Sequence, residues 1–160
     1  MIVLVIEDNE NKFNDISDAL NRVLEYPTIM WKKSRNSGLA AIIENNVRGC
    51  DVAYDMVICD NYLPLYDDEF ELRPMASNII GRIRRNGLTD LPIIVCSSEE
   101  VDNCDYDYKI KYEPGIQLDD SFRDIFDKLN YQEFIRSAQN DNEVMTKQDA
   151  KVKNLKRKLG

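Results

Sequence analysis

Short apolar runs alternate with longer amphipathic segments through the first hundred residues of the chain. The apolar runs cover residues 2–6, 28–31, 54–59 and 92–96. Short, largely apolar runs of this kind are typical of strands that are buried on both faces of a parallel sheet. The sequence therefore predicts four such strands, followed by a fifth strand over residues 108–112.

Helical periodicity fills the intervals between these strands. Apolar side chains recur every three or four residues over 10–25 and over 75–85. A further helix is expected to follow Gly38 and to end near Gly49. Strands that alternate with helices predict right-handed βαβ crossovers, and therefore an α/β fold with an open parallel sheet and helices on both faces.

Two segments interrupt this alternation. Residues 65–74 form an acidic insertion between the third strand and the helix that follows it. Residues 98–107 lack helical periodicity and are rich in residues that favour turns, so we expect a loop or at most one helical turn there.

The C-terminal part of the chain is predicted to be a helical extension, because neither proline nor glycine occurs over residues 116–159. The predicted inward face comprises Phe122, Ile125, Phe126 and Leu129. Farther along, Met145, Val152 and Leu159 recur at heptad spacing. Two interpretations of this spacing stay open, a frayed amphipathic tail or a short coiled coil that forms a homodimer.

Charge narrows the range of partners. The 160 residues carry a formal net charge of −8, which argues against generic nucleic-acid binding because such binding depends on cationic contacts with phosphates. Residues 146–160 are an exception, since they contain six Lys or Arg residues and one aspartate.

The cysteine and histidine content limits the kinds of chemistry that the chain can carry out. The four cysteines form no CxxC pair; Cys59 and Cys96 lie in predicted strands, and Cys50 and Cys104 lie in predicted loops. Without a secretory segment or a long apolar stretch, we expect a reduced, cytoplasmic protein that has no membrane partner. The absence of histidine leaves carboxylates and oxygen-preferring ions as candidate chemistry.

Acidic residues follow two of the predicted strands. Glu7 and Asp8 come directly after the first strand, and Asp60 comes directly after the third. In an open parallel sheet, ligands bind outside the carboxyl ends of the strands, so the three carboxylates are expected to converge at one edge. A hard divalent cation could hold them together, which points to phosphate chemistry on an aspartate.

A resemblance to a known family rests on these acids and on three further features. They are the sequence Asp60-Asn61-Tyr62-Leu63-Pro64, Ser97 after the fourth strand, and Lys111 near the end of the fifth. The chain resembles the receiver (response-regulator, CheY-like) domains of two-component signalling over about residues 1–130. The family fold is a doubly wound, five-stranded parallel sheet in the order 2-1-3-4-5. The region of the fourth helix and the fifth strand departs from the family pattern.

The resemblance implies that Asp60 accepts a phosphoryl group from a phosphohistidine on a histidine kinase or phosphotransfer protein. It also implies a Mg²⁺ ion held directly by Asp8 and Asp60, by the main-chain carbonyl of Tyr62, and by Glu7 largely through water. A small magnesium-dependent phosphatase is disfavoured, because such enzymes typically carry a second aspartate two residues after the nucleophile, where this chain has Tyr62.

The family also has residues that sense the phosphoryl group. Ser97 occupies the Ser/Thr position, whose hydroxyl reaches a phosphoryl oxygen, and Tyr108 has the spacing of the switch aromatic. Lys111 would pair with another phosphoryl oxygen, and Lys109 competes for this role. The family's lysine is usually followed directly by proline, whereas Tyr112 follows Lys111 here.

The resemblance therefore implies a stand-alone receiver over residues 1–130 and a partly basic helical extension over 131–160. The receiver would act in a phosphorelay and switch a surface that binds a downstream protein. It would be no enzyme beyond Mg²⁺-dependent self-phosphorylation and autodephosphorylation. The alternative is a non-phosphorylated pseudo-receiver that serves as a protein-binding or dimerisation module.

Overall fold

The structure is a computed structural model that describes residues 1–47 and 53–159. Its strands are β1 (Ile2–Ile6), β2 (Thr28–Lys32), β3 (Met56–Cys59), β4 (Tyr62–Leu63), β5 (Arg73–Pro74), β6 (Ile93–Ser97) and β7 (Tyr108–Lys111). Its helices are α1 (Glu10–Val23), α2 (Arg35–Val47), α3 (Ala76–Arg85) and α4 (Asp119–Leu159).

Five of the strands form one parallel sheet in the order β2-β1-β3-β6-β7. The remaining two, β4 and β5, form a separate antiparallel pair, in which β4 lies just before the predicted 65–74 insertion and β5 lies at its end. Without that pair, the sheet has the doubly wound order 2-1-3-4-5, so the predicted α/β fold is confirmed.

The core lies around the central strands β1, β3 and β6. All residues of β3 and β6 are buried, as are the last four residues of β1, which explains why these segments contain no charged residue. Helix α3 presents Ile79, Ile80 and Ile83 to this core, and each of them is almost completely buried. Burial of one such side chain contributes about 1.5–3 kcal/mol. The core therefore fixes the strand ends at which the site lies.

The predicted start of the second helix is wrong. Helix α2 begins at Arg35, and Gly38 lies inside its first turn. A Cβ atom at Gly38 would lie 2.6 Å from Cδ1 of Ile6, so this glycine lets α2 approach β1 closely. The glycine is therefore a packing residue, and it marks no helix start. The predicted helix end near Gly49, and Cys50 with it, lie outside the described residues.

Specific contacts tie both irregular segments to the rest of the fold. In the 65–74 insertion, Ser37 Oγ donates a 2.8 Å hydrogen bond to Asp67 Oδ1, which ties the insertion to α2. Residues 98–107 contain no helix, as expected, and three of their side chains pack against the core: Val101, Cys104 and Tyr106. A loop therefore lies where receivers have their fourth helix.

The chain divides into two compact units, Met1–Phe122 and Arg123–Gly160. The second unit is helical, and it exposes Val144, Val152 and Leu155 by half or more. The side chains of Met145 and Leu159, the other residues of the predicted heptad, lie outside the described part. The predicted boundary after residue 130 stays a prediction. None of the described helices combines the length and the apolar character that crossing a membrane requires.

Candidate functional site

The structure brings the three predicted carboxylates together. Glu7 and Asp8 follow β1, and Asp60 follows β3, which pairs in parallel with β1, so the acids leave the sheet at the same edge. One oxygen from each carboxylate lies within 4.8 Å of the other two. All three residues line a cavity of about 680 Å³. The edge is therefore a concentrated site of negative charge.

Glu7 is the buried member of this group, with 1 % of its surface exposed. Its Oε1 accepts a 3.0 Å hydrogen bond from the backbone N–H of Asn9. Burial, together with the negative charge of Asp60, raises the pKa of Glu7 to about 7, although the nearby ammonium of Lys12 acts in the opposite direction. Glu7 thus depends on a positive partner to stay charged.

That partner is Lys12, which the sequence analysis missed. Its Nζ lies 2.8 Å from Glu7 Oε2 and 3.0 Å from Asp60 Oδ1, and it donates a 2.7 Å hydrogen bond to the carbonyl of Cys96. Burial lowers the pKa of Lys12, but the charges of Asp60 and Glu7 outweigh burial and leave that pKa raised. The side chain therefore remains an ammonium ion in the site.

A signal for Lys12 exists in the sequence. Lys12 lies on the face of α1 that also carries Ile16, Ala19 and Leu20, and all four residues are buried. The spacing i, i+4, i+7, i+8 is that of an inward helical stripe. A lysine at the first position of such a stripe, one turn after two strand-end acids, predicts a buried ion pair.

Asn61 connects Asp60 to two other segments. Its backbone N–H donates a 2.7 Å hydrogen bond to Asp60 Oδ1. Its side chain accepts from the N–H of Ala76 at the start of α3 and donates to the carbonyl of Glu100. Asn61 therefore holds Asp60, the first turn of α3 and the 98–107 loop in fixed relation.

The other predicted site residues fall into two groups. Ser97 is buried and lines the cavity together with Tyr62, and its Oγ accepts a hydrogen bond from the N–H of Glu99. Lys111 is exposed and is not among the cavity residues. Lys109 is also exposed, and its Nζ lies 3.7 Å from Glu100 Oε2. Tyr108 is partly buried in β7 and lies outside the cavity lining.

Tyr112, the residue after β7, lines the cavity, whereas the side chain of Lys111 at the end of that strand does not. Side chains alternate along β7, so Ile110 and Tyr112 are buried where Lys109 and Lys111 are exposed. The Tyr112 hydroxyl donates a 2.6 Å hydrogen bond to Asp15 Oδ2, and its ring lies 5.2 Å from Lys12 Nζ. Burial, with the hydrogen bond to Asp15, raises the pKa of Tyr112 to about 12.

The donor set fits a divalent cation. Three carboxylates and one ammonium leave a formal charge of −2 at the site, and carboxylate oxygens are the ligands that Mg²⁺ and Mn²⁺ prefer. Within the described part of the chain, no donor is bonded to the Asp8 carboxylate or to Asp60 Oδ2. These oxygens are available to a cation in the cavity.

Comparison with known proteins supports the fold. No protein-family model matches the sequence, and no curated protein matches it significantly. Three similar solved structures are the phosphorylated cyanobacterial phytochrome response regulator RcpA (TM-score 0.61, 16% identity), the Mn²⁺-bound form of response regulator Rcp1 (0.60, 12%), and response regulator RPA3017 in red light signalling of R. palustris (0.60, 17%). Each alignment covers 78% of this chain, and it covers 89%, 90% and 90% of those chains, respectively. The chain has the fold of a response-regulator receiver domain.

Proposed function

We propose that the chain is a receiver in a phosphorelay and that Asp60 accepts a phosphoryl group from a histidine kinase or a histidine phosphotransfer protein. The observation that carries this proposal is the convergence of Glu7, Asp8 and Asp60 at one cavity, with the ammonium of Lys12 between two of them. The receiver fold supports the proposal, because such a site lies where open α/β sheets bind their ligands.

The proposed reaction is an in-line displacement at phosphorus. A carboxylate oxygen of Asp60 forms a bond to phosphorus while the P–N bond of the phosphohistidine breaks, and the electron pair of that bond stays on the imidazole nitrogen. The 2.7 Å bond from the N–H of Asn61 and the ion pair with Lys12 orient the Asp60 carboxylate for this attack.

Asp8 and Asp60 would hold Mg²⁺ directly, the main-chain carbonyl of Tyr62 would add an oxygen, and Glu7 would act largely through water. When bound, the ion supplies positive charge that neutralises the phosphoryl oxygens. The chain's own contribution is to hold Glu7 and Asp60 close together, and Lys12 does so by pairing with both carboxylates.

Phosphorylation would act as a switch and not as turnover of an external substrate. The aspartyl phosphate would end by hydrolysis on the same chain, which makes autodephosphorylation its only further reaction. The hydroxyl of Ser97, which lines the cavity, would turn toward a phosphoryl oxygen, and Tyr108 would respond to that movement. The changed surface would then bind a downstream protein.

A homodimer through the C-terminal extension is part of this proposal. Val144, Val152 and Leu155 are between 50% and 58% exposed on one helix, and burial against a second copy would remove them from water. Sedimentation equilibrium of the full chain tests this point. Leu155→Glu should shift the chain toward monomer, whereas Lys153→Glu should not.

The test of the phosphoacceptor is incubation with acetyl phosphate and Mg²⁺, followed by intact mass. We expect a mass increase of one phosphoryl group, and no increase for Asp60→Asn. Circular dichroism of Asp60→Asn checks that the variant is folded. If the wild-type chain stays unmodified by acetyl phosphate and does not respond to beryllofluoride, the pseudo-receiver is favoured. The loop between β6 and β7 is an observation that also favours the pseudo-receiver.

A further inference from the structure

The ammonium that faces Asp60 comes from α1 and not from the last strand of the sheet. Lys12 Nζ has three acceptors within 3.0 Å: Glu7 Oε2, Asp60 Oδ1 and the carbonyl of Cys96. The Cys96 carbonyl accepts a hydrogen bond from the ammonium, and the two carboxylates are its ion-pair partners. Nζ is therefore held at one point of the cavity wall.

The local sequence places Lys12 there. Asn9 caps α1, and its Oδ1 accepts a 3.0 Å hydrogen bond from the backbone N–H of Lys12. This cap fixes the first turn of the helix directly after the acids that follow β1. The ring of Tyr112, 5.2 Å from Nζ, covers the ammonium and excludes part of the solvent.

The last strand cannot supply the same charge in this arrangement. Lys109 and Lys111 lie on the exposed side of β7, and Tyr112 occupies the buried position at its end. A rotation of Lys111 into the cavity would require the pleat of β7 to reverse, which would expose Ile110. The chain therefore has a different source of positive charge from the one implied by its resemblance to receivers.

We propose that Lys12 is the residue that binds the phosphoryl group on Asp60, an inference that rests on the proposed function. Before transfer, Lys12 bonds Asp60 Oδ1. After transfer, Glu7 and the Cys96 carbonyl keep two of its donors in place, and the third donor faces a phosphoryl oxygen. This charge-assisted bond stabilises the charge that develops during transfer. Tyr112 is a positioning residue that acts through Lys12.

The test compares Lys12→Met with the matched control Lys111→Met, using acetyl phosphate with Mg²⁺ and intact mass over time. We expect uptake by Lys12→Met to be at least about tenfold slower than by the wild type, because one charge-assisted bond is lost. Uptake by Lys111→Met should stay within about twofold of the wild type, as expected for a surface substitution. Equal rates for wild type and Lys12→Met, or a loss confined to Lys111→Met, would overturn the inference and leave the proposed function intact. An unreactive wild type would instead refute the proposed function.

A titration with Mg²⁺ distinguishes a specific role of Lys12 in binding the phosphoryl group from a general disruption of the site. Trp31 is the only tryptophan, and its Nε1 donates a 2.7 Å hydrogen bond to the carbonyl of Glu7, so its fluorescence reports on the acids. Lys12→Met should bind Mg²⁺ at least as tightly as the wild type, because a competing positive charge is gone. Weaker Mg²⁺ binding by a folded Lys12→Met would contradict the inference.

A second variant covers the case in which Lys12→Met does not fold. The double variant Glu7→Gln/Lys12→Met removes the buried carboxylate together with its partner, which avoids an unpaired buried charge. We expect the same decrease of at least about tenfold in uptake. Uptake by the double variant at the wild-type rate would overturn the inference.

Discussion

The two sides of the cavity are built differently. On the β1–β3 side, two buried strands in parallel register end in acids, and α2 packs directly on β1 through Gly38. On the β6–β7 side, an irregular loop replaces a helix, and Tyr112, the residue after β7, lines the cavity whereas Lys111 at the end of β7 is exposed. The β1–β3 side, which carries the acids, follows the receiver pattern, and the β6–β7 side departs from it.

The position of the positive charge is defined by a point in space next to the acids and not by a point in the sequence. Asp8 and Asp60 have to leave adjacent strands to converge, so their sequence positions are tightly constrained. A lysine has a long, flexible side chain and can reach the same acids from another element, and here it does so from α1.

One arginine orders much of the β6–β7 side. Arg84 Nη1 donates to the carbonyls of Leu88, Thr89 and Leu91, and Nη2 donates to the carbonyl of Asp105 and to the carboxylate of Asp107. Asp107 in turn accepts from the N–H of Ile93 at the start of β6. These bonds compensate for the absence of helical hydrogen bonds in the loop.

The largest predicted effect therefore concerns Arg84. Arg84→Met should lower the free energy of unfolding by about 3 kcal/mol, because it removes several charge-assisted hydrogen bonds at a side chain that is mostly buried. Urea unfolding measures the loss, and hydrogen exchange should increase over residues 98–107. The control is Arg82→Met on the exposed face of the same helix, which should change stability by about 0.5 kcal/mol or less. Unchanged exchange in the loop would show that apolar packing alone orders it.

The second largest loss of stability is predicted for a substitution on the β1–β3 side of the cavity. Gly38→Ala should destabilise the protein by about 1–3 kcal/mol, because the new Cβ would meet the side chain of Ile6 at 2.6 Å. Since Ile6 directly precedes Glu7, the fluorescence of Trp31 should change as well. The control Gly81→Ala places its Cβ against the mobile end of Arg85, so a gain of about 0.5–1 kcal/mol from helix propensity is expected. A stabilising effect of Gly38→Ala would mean that α2 does not need this close approach.

The sequence predicts the fold and the acid side well for a physical reason. Buried parallel strands are apolar over their full length, and acids at their ends stand out, so β1, β3 and Asp60 are visible in the pattern. Lys12 and Tyr112 are harder to assign, because their roles depend on which face of α1 and of β7 turns inward. A shift of one residue along β7 would have placed Lys111 in the cavity, and local periodicity over four residues does not decide between the two registers.

The smallest predicted effect tests whether Tyr112 positions Lys12. Tyr112→Phe keeps the ring over the ammonium but removes the 2.6 Å bond to Asp15, so we expect a loss of about 1 kcal/mol in urea unfolding. The control Tyr108→Phe removes a hydroxyl that has no hydrogen bond among the described residues, and it should stay within about 0.5 kcal/mol of the wild type.

Uptake of phosphate from acetyl phosphate separates the ring of Tyr112 from its hydroxyl. Tyr112→Phe should keep most of the wild-type rate, because the ring still covers Lys12, whereas Tyr112→Ala should slow uptake severalfold by exposing the ammonium to water. Equal rates for the Phe and Ala variants would show that the three acceptors of Lys12 position it without help from the ring. The β6–β7 side of the cavity would then contribute only backbone groups and Ser97 to phosphate uptake, and the two sides would differ even more.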